Sequence, residues 1–102
     1  MAKPNAPQGN TVTVTAQNQF TEEIFIGNGK KLIVDLSGSG TMTLTVQRRL
    51  PGGTTWVDQD TLGTTNGLYQ LNGVGKYWRA GCKTGDFSSG TRTLNVSGSP
   101  TD

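Results

Sequence analysis

The chain has 102 residues, nine basic and seven acidic side chains, a formal net charge of +2, no histidine and one cysteine. Such a length makes one domain, the missing histidine removes the commonest general base and metal ligand, and a lone cysteine excludes an internal disulfide framework. Hydrophobic residues make up 31% and charged ones 16%, so the chain lacks both the high net charge of a disordered polymer and the basic clustering of a nucleic-acid binder.

Residues 1–10, "MAKPNAPQGN", carry two prolines, one glycine and two asparagines. They read as an extended N-terminal arm with no hydrophobic run of the signal-peptide kind, so a protein made and kept in a cytosolic setting, or in something assembled there, is expected. Next, "TVTVTA" (11–16) alternates strictly, with Val12, Val14 and Ala16 on one face and threonines on the other. That period of two is the signature of a half-buried strand. "FTEEIFI" (20–26) predicts a second strand, and Asn28-Gly29 predicts a hairpin turn, since both residues tolerate positive φ. "KLIVDL" (31–36) then returns with Leu32, Val34 and Leu36 in phase, and "SGSG" (37–40) predicts another turn.

"TMTLTVQR" (41–48) sets Met42, Leu44 and Val46 against Thr41, Thr43, Thr45 and Gln47. "LPGG" (50–53) turns, with Pro51 fixing φ and a glycine free to go left-handed, and "WVDQDTL" (56–62) runs back. "LYQL" (68–71) is a weaker strand. "YWRAGCKT" (77–84) follows, with Trp78, Ala80 and Cys82 in phase, which makes Cys82 a small core residue rather than a nucleophile. "GDFSSG" (85–90) reads as a turn and "TRTLNVS" (91–97) as the last strand. No segment has helical spacing, and no apolar run approaches the roughly 20 residues needed to cross a bilayer. Short strands with turn signals every 8–12 residues predict an all-β fold. It is expected to be a two-sheet β-sandwich or jelly roll of about eight antiparallel strands over 11–97, followed by a C-terminal tail at 98–102.

The candidate chemistry is thin. Asp58 and Asp60, at i and i+2, would share a strand face, an arrangement that is more often solvated than a glycosidase pair. With Asp86 or Asn66 they would offer oxygen ligands to a hard cation, but no calcium-loop spacing is present. "GNGK" (27–30) lacks the spacing and the helix of a phosphate loop. No catalytic residue, cofactor or metal site is therefore predicted, nor a nucleic-acid or membrane partner. Trp56, Tyr69 and Trp78 are the candidates for an aromatic platform that would stack against sugars. The threonine series 11, 13, 15 and 41, 43, 45 predicts polar β-branched ridges on exposed strands.

Two blocks, "GTMTLTVQRRLPGGTTWVDQDTL" (40–62) and "YWRAGCKTGDFSSGTRTLNVS" (77–97), resemble small virion proteins of tailed bacteriophages. The matching positions are Gln47, Arg48, Gly52, Gly53, Trp56, Tyr77, Arg79, Gly85, Asp86, Ser89, Gly90 and Thr91. Trp78, interposed between Tyr77 and Arg79, departs from the pattern. The resemblance implies a capsid decoration (cement) protein on the virion surface, bound to the major capsid protein as a homo-oligomer (dimer or trimer). Contacts to the shell are expected from the arm (Pro4, Asn5, Pro7, Gln8) and from Arg48 and Arg49. The alternative is a carbohydrate-binding module on a head fibre or tail spike that touches the host, using the aromatic platform, or a tail or neck component.

Overall fold

The computed structural model of the chain describes residues 9–63 and 65–100. The arm residues Pro4, Asn5, Pro7 and Gln8 lie outside the described residues. Among the described residues nine strand segments occur: β1 (Gly9–Val14), β2 (Gln19–Phe20), β3 (Ile24–Phe25), β4 (Lys30–Met42), β5 (Leu44–Arg49), β6 (Val57–Leu62), β7 (Gly67–Leu71), β8 (Tyr77–Cys82) and β9 (Phe87–Pro100). One sheet has the order β1-β9-β4-β7, the other β2-β8-β5-β6 with β3 also paired to β8. All pairings are antiparallel. Because β2 and β3 meet the same strand at successive positions, they are two halves of one interrupted strand. The pairs β1–β9, β2/β3–β8, β4–β7 and β5–β6 are nested along the chain, like a long hairpin rolled into two layers. That is the jelly-roll topology.

The period-two pattern drives this directly. Val14, Leu32, Val34, Leu36, Leu94 and Val96 point inward from the first sheet, and Ile24, Ile26, Leu44, Val46, Leu62, Trp78, Ala80 and Cys82 from the second. Each fully buried aliphatic contributes about 1.5–3 kcal/mol relative to exposure. Trp78 is buried against the loop at Gly73, and its indole Nε1 donates to the Gly73 carbonyl at 2.8 Å, so burial leaves no orphan donor. Cys82 is fully buried, and burial pushes its thiol pKa up, as a core role requires.

Three turn expectations are corrected. "SGSG" (37–40) is not a turn, and of "GDFSSG" (85–90) only the Gly85 end turns, the Asp86 amide donating to the Lys83 carbonyl at 3.1 Å, while β4 and β9 run through the rest and pair with each other over Lys30–Met42 and Phe87–Pro100. Here glycine serves close approach between two backbones. A Cβ on Gly90 would lie 2.2 Å from the Gly40 Cα, and one on Gly38 would lie 2.4 Å from the Thr91 carbonyl oxygen. Both glycines have positive φ, 98° and 95°. Asn28-Gly29 does form a turn, but β3 and β4 lie in different sheets, so it is a crossover and not a hairpin. The hairpin at 50–53 is as expected, with the Gly53 amide donating to the Leu50 carbonyl at 2.9 Å and Gly52 at φ 80° after Pro51. Residues 98–100, read as tail, continue β9, with Lys30 opposite Pro100.

Candidate functional site

With Trp78, Ala80 and Cys82 turned inward, strand alternation sends Tyr77, Arg79 and Gly81 to the outer face of the second sheet. The register sets Tyr77 beside Arg49, Arg79 beside Gln47, and Gly81 beside Thr45. On the other flank of β8, Phe25 lies opposite Tyr77 and Phe20 opposite Gly81. Asp58 on β6 faces Gln47. Trp56, just before β6, completes the set. Nine side chains from separate parts of the sequence thus share one outward face.

They form a continuous stack. The Phe25 and Tyr77 rings are 5.1 Å apart and tilted by 57°. The Arg49 guanidinium lies 4.5 Å from the Tyr77 ring centre and 5.2 Å from that of Trp56. The Arg79 guanidinium lies 4.5 Å from the Trp56 ring and 4.2 Å from the Phe20 ring. The sequence of contacts is Phe25, Tyr77, Arg49, Trp56, Arg79, Phe20. Cations over aromatic faces contribute about 0.5–1 kcal/mol each where exposed and about 2 where desolvated. Gly81 is needed beneath it: a Cβ there would sit 2.6 Å from the Phe20 Cα and 2.7 Å from its ring.

Hydrogen bonds hold the stack edge-on. Arg49 donates from Nη2 to Glu23 Oε1 at 2.6 Å and from Nη1 to the Gly53 carbonyl at 2.8 Å. Arg79 Nε donates to Gln47 Oε1 at 2.8 Å, and Gln47 Nε2 donates to Asp58 Oδ1 at 2.9 Å. Lys83 Nζ closes the line on Asp58 Oδ2 at 2.5 Å. The cation on one side and the carboxylate on the other fix which way the Gln47 amide points. Its hydrogen bonds to Lys83 and Gln47 lower the Asp58 pKa below 3.8, and the same contact with Asp58 raises that of Lys83. Burial pushes the Arg79 pKa down, with Glu23 acting against that. Gln47 and Thr45 face outward yet are only 7% and 2% exposed, Gln47 being held between Arg79 and Asp58. The expectation of an exposed ridge at 41, 43 and 45 therefore fails at Thr45. The 11, 13 and 15 ridge is exposed, with Thr13 Oγ1 3.5 Å from Thr93 Oγ1.

The other expected groupings disperse. Trp56, Tyr69 and Trp78 share no face: Trp78 is 2% exposed between the sheets, Tyr69 is half-buried on β7 of the other sheet, and Trp56 belongs to the stack. Asp58 and Asp60 do not face the same way. A bulge between Val46 and Gln47 sets Asp60 opposite inward-facing Val46 and Asp58 opposite outward-facing Gln47. Asp60 Oδ1 accepts from the Thr61 amide, and Asn66 Nδ2 donates to the Gly38 carbonyl. Among the described residues no group of three or more His, Cys, Asp or Glu side chains is placed to hold a metal ion. Arg48 and Arg49, adjacent on β5, take opposite faces. Arg49 is locked into the stack, while Arg48 donates from Nε to Gln59 Oε1 at 2.6 Å.

No protein-family model, curated protein or solved structure matches this chain. The site stands on its own geometry: a pre-ordered, arginine-braced aromatic surface on the outer face of the second sheet.

Proposed function

We propose that this is a bacteriophage virion structural protein, a decoration (cement) protein that binds the outside of the head and bridges neighbouring copies of the major capsid protein. The observation that carries the reading is the convergence of Gln47, Trp56, Tyr77 and Arg79. They come from two separate blocks that resemble phage virion proteins, and they meet on one outer sheet face. A surface already held rigid by stacking and hydrogen bonds loses little conformational entropy on docking. Many copies on a symmetric lattice add avidity that a single contact lacks. The arm at 1–10 would lie across a neighbouring subunit, and Arg48 at the hairpin base would meet the shell. Arg49 is spent on internal contacts and serves as a brace.

The test is co-sedimentation of the purified protein with heads assembled from the major capsid protein of the same phage, followed by imaging. Saturable occupancy at symmetric positions and a higher rupture temperature of the heads are expected. No sedimentation with heads, or occupancy on tails alone, would overturn the reading. Deleting residues 2–10 should weaken binding, and unchanged occupancy would remove the arm from it. The carbohydrate-binding alternative requires a bare aromatic platform, and the Trp56 ring is in contact with two guanidinium groups instead.

A further inference from the structure

The two sheets present four open edges: β1 and β7 on the first, β6 and the broken β2/β3 strand on the second. Exposed edges invite pairing with other chains, and folded proteins blunt them with charge, bulges or cover. Three of the four are blunted. On β6, Asp58 and Asp60 lie beside a bulge. The β2/β3 edge is interrupted at 21–23, where Glu22 and Glu23 are exposed. Along β1, the Asn10 side-chain amide donates to the Glu22 and Glu23 carbonyls at 3.2 and 3.1 Å, which brings that link alongside the strand.

Among the described residues β7 has none of these devices. From Thr61 to Gly75 the sequence contains no charged residue, and β7 itself reads GLYQL. Leu68 is 64% exposed, the highest value among the large hydrophobic residues that stand out from the surface. On the inner side of the same edge, Tyr69 and Leu71 pack against the core but are only partly buried. Past Leu71 the edge opens into a groove of about 380 Å³ lined by Gln70, Leu71, Asn72 and Val74, with Lys30 and Lys31 at its rim.

We propose that β7 is a self-association edge, on which a second copy of this chain pairs its own β7 in antiparallel register. The occupant follows from symmetry and charge. An antiparallel pairing of identical strands is two-fold and closes at two copies. An uncharged strand opposes nothing when it meets itself, whereas β6 would set carboxylates against carboxylates. The pairing continues the antiparallel alternation into one eight-stranded sheet, β1-β9-β4-β7 followed by its mirror order. It buries Leu68 on the outer face and completes the cover of Tyr69 and Leu71 on the inner one. The inference does not depend on the virion role, since it concerns the free protein in solution.

A five-residue strand makes a small interface, so the dimer should be weak and populated toward the high end of a concentration series. Sedimentation velocity over a concentration series should give a monomer–dimer equilibrium. Leu68→Lys should weaken it about 10-fold or more by placing like charges near the axis, while Leu50→Lys, at the distant hairpin tip, should leave it unchanged. Hydrogen exchange of the unaltered protein supplies a second readout: amides of 67–71 should gain protection as concentration rises. A protein that stays monomeric, a trimer, a dimer indifferent to Leu68→Lys, or exchange at 67–71 that ignores concentration would each overturn the proposal.

Discussion

Removing the Arg79 side chain tests whether the stack on the second sheet is one interacting unit. In Arg79→Ala two ring contacts disappear, at 4.2 Å to Phe20 and 4.5 Å to Trp56. For a half-exposed group these sum to about 2 kcal/mol. The charged hydrogen bond to Gln47 Oε1 adds about 1.5–3 kcal/mol, because Gln47 is only 7% exposed and its carbonyl oxygen loses its partner. Against this, the freed side chain regains about 1.5–2 kcal/mol of rotamer entropy. The net loss is about 2–3 kcal/mol, or roughly 10–20 °C in Tm for a domain of this size. Arg79→Lys keeps the charge but loses the planar stacking and Nε, so it should fall between Ala and the unaltered protein. Thermal and urea unfolding of Arg79→Ala, Trp56→Ala and the double variant give the coupling, expected to exceed about 0.5 kcal/mol. Additivity within about 0.3 kcal/mol, or an Arg79→Ala protein as stable as its parent, would refute the reasoning.

Gly90→Ala and Gly85→Ala both place alanine at positive φ, 98° and 88°, but only Gly90 faces backbone at 2.2 Å, Gly85 facing open space. Gly85→Ala should cost about 1 kcal/mol and Gly90→Ala about 3 or more, measured by denaturant midpoints. Because the Asp58 pKa is depressed in the folded state, its bond to Lys83 stabilises above the unfolded carboxylate value and is lost as pH falls through the folded one. The Tm gap between Asp58→Asn and the parent should therefore be widest near neutral pH and close as pH falls through the depressed folded-state value. Trp78→Phe loses the bond to the Gly73 carbonyl and leaves a void in the core, and should cost about 2–3 kcal/mol by urea unfolding.

The sandwich was legible because hydrophobic alternation survives wherever one face of a strand is buried. "KLIVDL" and "TLNVS" bury the residues their parity predicts, whereas in "TVTVTA" Val14 is buried and Val12 partly so, but β1 ends at Val14 and Ala16 is exposed. Glycine was misread where it serves approach rather than reversal. "SGSG" and "FSSG" carry the composition of turns, and only their mutual register shows them lying backbone to backbone. The bulge that separates Asp58 from Asp60 leaves no local trace either. The stack was half visible: the phase that buries Trp78 and Ala80 already turns Tyr77 and Arg79 outward. What spacing alone does not disclose is that Phe20, Phe25, Arg49 and Trp56 arrive at the same face, since that depends on pairings between distant strands. Reading Trp56, Tyr69 and Trp78 as one platform failed for the same reason, as aromatic type carries no information about which sheet a residue joins.

The nested pairing also constrains how the molecule comes together. The Pro51-Gly52 turn joins strands that are neighbours in sequence, so β5 and β6 close the shortest loop and lose the least chain entropy. Each outer rung spans a longer stretch, until β1 meets β9 across most of the polypeptide. Acquisition of structure should run outward from the tip like a zip, with the last tooth closing at the ends, and slowly for a chain of this length. A lesion at the tip should then delay every later step, whereas one in β1 should mainly hasten its escape from the finished roll.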